Sequence, residues 1–189
     1  MNDYFVLDWD ATPNIVGHVE DRNERSLANK FTRGRLLGTE LAPAGLAVRV
    51  ESGPDGAYPD YFTLQQIPIA SQRFVDALRP VANNFEAFPV DIVMPGRTIK
   101  GHQVLNIVGR VTCLDRERTV STLIDPKMNV ILRMKKLAID ASKASGLSLF
   151  RLHEFPVLVL ASETVRDALN GLRGVSLLPA QGWSDSVWF

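Results

Sequence analysis

Apolar and polar positions alternate most regularly between Val104 and Asp115 (VLNIVGRVTCLD), with Leu105, Ile107, Val111 and Cys113 on one side of the pleat. Asn106, Arg110 and Thr112 take the other side, mixed with Val104, Val108 and Leu114. A period of two over this length, rich in β-branched residues, predicts a long strand with one face buried and the other partly covered. Gly109 has no side chain to pack, so a bulge or a close backbone approach is expected there. We read this strand as the centre onto which the flanking elements fold.

The same alternation marks shorter strands. Phe5, Leu7 and Trp9 alternate with Tyr4, Val6 and Asp8, and Ile15 to Glu20 is the expected hairpin partner through a turn at Pro13 and Asn14. Asp21 to Arg35 is dense in charge and weakly periodic, which predicts an exposed loop with one helical turn. Leu46, Val48 and Val50 alternate cleanly before a Ser-Gly-Pro-Asp-Gly turn, and a second loop is expected through Pro59-Asp60-Tyr61-Phe62.

Two ten-residue segments match in register: IASQRFVDAL (69–78) and LASETVRDAL (160–169). Phe74, Ala77, Leu78 and Val81 recur at i, i+3, i+4 and i+7, as do Val165, Ala168, Leu169 and Leu172, so each segment predicts a short amphipathic helix. Ser71 and Ser162 stand where a hydroxyl caps an orphan backbone N–H. Apolar runs on either side (67–70 and 85–89; 157–161 and 175–179) make two strand–helix–strand units flanking the central strand. Shared physical demands are enough to explain the match. Between the units, Arg116 to Lys127 reads as a loop, Val130 to Ile139 as a strand, Ser142 to Gly146 as a turn and Leu149 to Leu152 as a strand. The sum is an α+β fold: a mixed β-sheet built on a long central strand, with two strand–helix–strand units and an N-terminal β-hairpin.

Composition narrows the classes of function. Lys plus Arg and Asp plus Glu both number 21, and this balance argues against broad binding of nucleic acid or of an anionic membrane. The opening MNDYFVLDWD lacks the apolar core of an export signal, and no run of about eighteen apolar residues could span a bilayer. Cys113 is the single cysteine, which excludes a disulfide within one chain and fits a small buried hydrophobe. A cytoplasmic protein is expected.

Candidate chemistry is sparse. Phe5 to Thr12 (FVLDWDAT) resembles the first motif of haloacid-dehalogenase-type phosphatases, which implies a nucleophile at Asp8, an acid/base at Asp10 and magnesium at the strand end. No second acidic pair near the C-terminus completes such a site. His18, His102 and His153 lack the spacing of metal ligands, and no phosphate loop or nucleophile elbow is present. No cofactor is therefore expected, and no catalytic or metal residue is assigned beyond that alternative. Acidic charge gathers at Asp8, Asp10, Glu20, Asp21 and Glu24, and Trp183 and Trp188 mark an aromatic tail; these seven are the candidate partner-binding residues.

Further blocks carry a resemblance: Pro59-Asp60-Tyr61, Ile69-Ala-Ser71-Gln-Arg-Phe74, Phe85-Glu-Ala-Phe88-Pro89-Val90, Val104-Leu-Asn106, Cys113-Leu-Asp115, Leu149-Phe150-Arg151 and Leu160-Ala-Ser162-Glu163. In order and spacing they resemble the eleventh catalogued immunity-protein family of bacterial polymorphic toxin systems, over about residues 59 to 180. The resemblance implies a non-catalytic cytoplasmic protein that binds and neutralises a cognate toxin domain, with no catalytic residue to transfer. Length and the lack of an interdomain linker predict one domain over 1–189, in which the resemblance makes 61–180 the family-like core, with 1–60 a variable β and loop part and 181–189 a tail. Homodimerisation is left open.

Overall fold

The computed structural model describes residues 3–10, 14–21, 28–38, 46–125 and 130–185. In chain order the elements are β1 (Tyr4–Trp9), β2 (Val16–Asp21), α1 (Ala28–Phe31), β3 (Leu46–Ser52), β4 (Tyr61–Leu64), β5 (Ile67–Ser71), α2 (Gln72–Leu78), β6 (Phe85–Met94), β7 (Arg97–Ile107), β8 (Arg110–Val111), β9 (Val120–Asp125), β10 (Val130–Lys136), β11 (Leu149–Leu152), β12 (Val159–Ser162), α3 (Glu163–Leu169) and β13 (Val175–Pro179). Among the described residues the strands form a six-stranded sheet (β2-β3-β6-β7-β5-β4), a five-stranded sheet (β13-β1-β12-β11-β8) and a β9-β10 ribbon. The fold is a sheet-rich α+β.

Each matched segment becomes a helix capped by its serine. The Ser71 hydroxyl accepts from Phe74 N (3.2 Å) and the Ser162 hydroxyl from Val165 N (3.4 Å). In both units an antiparallel strand is inserted between the two strands that the helix connects. β7 lies between β5 and β6, and β1 lies between β12 and β13. The stripes Phe74/Leu78 and Val165/Leu169 are fully buried in one cluster that gathers α2 and α3 with Leu105 of β7 and Leu7 of β1. A second cluster, including Phe62, Ile69, Val48 and Ile92, fills the opposite face of the six-stranded sheet. That sheet curls almost into a barrel, since its two edge strands β2 and β4 approach each other. A third cluster, with Tyr4, Val6, Phe150 and Leu160, sits beneath β10.

Four expectations are corrected. The strand predicted over 104–115 ends at Ile107. Gly109 turns the chain out of the ladder at φ +96°, and β8 then joins the other sheet, parallel to β11. The Gly109 N–H donates to Gly34 O (2.8 Å), but the crowded glycine is Gly34, where a Cβ would lie 3.1 Å from the Gly109 carbonyl; a Cβ on Gly109 would meet nothing within 4 Å, and it is the positive φ that favours glycine there. Apolar alternation continues through the break because both sides of it face core, so the pattern does not register a change of sheet.

The N-terminal hairpin is not formed, because β1 and β2 lie in different sheets. β1 is buried on both faces and paired on both edges, by β12 and β13, which leaves no edge for β2. The loop read through Tyr61-Phe62 contains β4, which pairs with β5 through a two-residue turn of Gln65 and Gln66 at φ +51° and +66°. Without Gly or Asn at these positions the hairpin carries no turn signal. The loop read over 116–127 contains β9, an exposed ribbon strand whose Val120 is half open to solvent.

Candidate functional site

The two sheets meet where β1 passes β4, and a cleft of about 400 Å³ opens at that seam. β1 delivers Asp8 and Trp9 to it from its C-terminal end, where burial falls away. β4 delivers Tyr61 and Thr63, β11 delivers Arg151, and the loop after β11 adds Phe155. Trp183, beyond β13, completes the aromatic lining.

Arg151 is the unusual member. It is fully buried, 0% exposed, on a strand that otherwise carries Leu149, Phe150 and Leu152. Its Nη1 donates to Pro156 O (2.8 Å), while Nε and Nη2 have no hydrogen-bond partner among the described residues. Burial pulls the guanidinium pKa down to about 10, with a smaller opposing contribution from Tyr61, so it stays charged at neutral pH. Leaving buried charged donors unmatched costs more than the roughly 1–3 kcal/mol of a neutral group.

Asp8 is the acidic counterpart. Burial raises its pKa, and the Trp9 N–H, donating to Oδ1 at 2.8 Å, partly offsets this. Tyr61 stacks on Phe74 with ring centres 5.1 Å apart. Its phenol is pushed far up by burial, then further by the Asp8 carboxylate and back down by Arg151. The cleft thus holds an anion and a cation, each close enough to be felt at one buried phenol.

Acidic residues of two of the family blocks, Asp60 and Glu86, carry structural cross-links. Asp60, 5% exposed, accepts from the Ser71 hydroxyl (2.8 Å) and from Arg173 N (2.9 Å), which ties the N-cap of α2 to the turn before β13. Glu86 accepts from Leu37 N, Gly38 N and Asn106 Nδ2, at 2.7, 2.8 and 2.7 Å, and fastens the segment after α1 to β6 and β7.

The structure brings Asp8 and Trp183 into this cleft and leaves Asp10 and Glu20 outside its lining. Asp10 follows β1, with its N–H on Gly174 O at 3.0 Å. Glu20 belongs to β2 in the six-stranded sheet, where Arg49 Nε (2.5 Å) and His18 Nε2 (3.0 Å) meet its carboxylate. Those partners, the His18 contact first, hold its pKa below the usual carboxylate range. Asp21 ends β2, but its side chain, like Glu24 and Trp188, lies outside the described residues. Arg151 was missed as a site residue. The signal was available: an arginine inside an otherwise apolar four-residue strand.

The phosphatase-like motif keeps its two aspartates at the end of β1. That strand runs antiparallel to both neighbours, so Asp8 does not stand at the carboxyl edge of a parallel sheet, where phosphate sites gather. Among the described residues no three His, Cys, Asp or Glu side chains converge as a metal site would require.

The sequence model of the Immunity protein family (Imm11) matches residues 39–182. No curated protein matches the chain.

Proposed function

The chain belongs to the Imm11 immunity protein family, and from that premise we propose that it protects its cell by binding a cognate toxin domain and neutralising it without catalysis. The family match over 39–182 is the observation that carries this reading. Neutralisation by capping needs a complementary surface of roughly 800 Å² on each partner and no reactive group. The surface we propose starts from Asp8 and Trp183 at the seam and extends over Asp10, with Glu20, Asp21, Glu24 and Trp188 as further candidates. Acidic groups there would meet a basic toxin cleft and speed encounter. The compartment we propose is the cytoplasm, where such a toxin would act. No helix among the described residues is long and apolar enough to cross a membrane, which is consistent with this.

The test is to express the toxin domain encoded beside this gene in a sensitive host, with and without the chain. Restored growth is the expected result. Undiminished killing, with the chain folded and abundant, would remove the proposal.

A further inference from the structure

We propose that the cleft at the seam is a binding site for a carboxylate carried on an apolar or aromatic body, received side-on by Nε and Nη2 of Arg151. This site does not depend on the toxin reading.

The two unpartnered nitrogens lie on the same edge of the guanidinium, the edge whose spacing matches both oxygens of a carboxylate. Nη1, on the other edge, is already held by Pro156 O.

Leu149 of β11 pairs with Ala161 as Tyr61 of β4 pairs with Ala70, so Arg151 and Thr63 occupy equivalent places in the two halves. One half carries a half-buried threonine there, and the other buries a cation.

The walls suit an apolar body. Trp9, Trp183 and Phe155 line a cleft of about 400 Å³, within the range of small-ligand sites, about 300–1,000 Å³. A monoanion fits better than a phosphate dianion, because Asp8 and Asp185 line the same cleft. Neither Nε nor Nη2 reaches solvent, so a carboxylate reaches them only if the half-buried Phe155–Val157 loop shifts outward and Nη1 gives up Pro156 O.

The carboxylate has two sources, a free small acid or the terminus of a polypeptide. Binding to the full chain is followed by tryptophan fluorescence and by calorimetry. The probes are phenylacetate, its neutral counterpart phenylacetamide, and a short peptide ending in phenylalanine with a free or an amidated C-terminus. Both acids are expected to bind saturably, with the neutral forms at least about tenfold weaker. A peptide acid that binds more tightly than phenylacetate assigns the polypeptide source, and equal affinity assigns the small acid. Acid and amide binding equally, or neither acid saturating, would overturn the proposal. These comparisons use the unaltered chain and do not rely on a variant folding. Arg151→Met, if folded, should erase the preference for the acid; a folded variant that keeps it would also overturn the assignment.

Discussion

At the scale of single residues, a buried cation, Arg151, and a half-buried carboxylate, Asp8, define the seam, and Asp8 gives the sharper test. Its folded-state pKa is raised by burial, so the native protein holds this proton more tightly than the unfolded chain. Stability from Asp8 is therefore greatest below the unfolded carboxyl range and is lost as pH rises through the raised value. Asp8→Asn removes the charge and keeps an oxygen for the Trp9 N–H. We expect the variant to melt higher than the parent at about pH 7, with the difference shrinking toward about pH 3.5. A lower melting temperature at neutral pH would mean that the carboxylate has a stabilising partner. The same variant bears on the phosphatase alternative: magnesium-dependent hydrolysis of a phosphate ester by the parent, lost in Asp8→Asn, would replace the binding reading with an enzymatic one.

At the scale of elements, the paired helices carry the clearest energetic expectations. Ser71→Ala and Ser162→Ala each remove a cap and should each lower stability by about 1 kcal/mol. Leu78→Ala and Leu169→Ala hollow the cluster between the helices and should cost about 2–5 kcal/mol each. Denaturant titration at constant m-value reads both sets; variants indistinguishable from the parent would contradict the packing described. The β4-β5 turn offers the opposite sign. Gln65 and Gln66 both sit at positive φ, where asparagine and glycine are at ease, so replacing the pair with Asn-Gly should raise stability by about 1 kcal/mol. A loss would show that the glutamine side chains contribute more than the backbone strain removes.

These elements also show what the sequence made legible. The helices were plain because 3.6-residue periodicity, a serine cap and an apolar flank all coincide at 71–78 and again at 162–169. β4 was hidden because its turn lacks the residues that favour it, and β8 because alternation ran on through Gly109. The hairpin expectation failed on β1 for a different reason. Local pattern shows that Tyr4 to Trp9 is a strand, while its neighbours come from residues more than 150 positions away. The cleft was half visible, through Asp8 and Trp183. Arg151 had one local signal, a charge among Leu149, Phe150 and Leu152, but its covering comes from elements distant in sequence.

At the scale of the molecule, two similarly built halves meet at a seam, with their helices packed together and cross-links such as Asp60 holding the join. The chain belongs to the Imm11 immunity protein family, and the surface proposed above is the one such a body would offer a toxin. Binding and catalysis differ in stoichiometry, which makes one measurement decisive. Purified chain is titrated into a fixed amount of a cognate toxin domain, identified by the growth-rescue test above, and residual toxin activity is followed over time. The account predicts that activity falls linearly and reaches zero near one equivalent, with no further loss on longer incubation. Undiminished activity at excess chain, or progressive inactivation by far less than one equivalent, would contradict it.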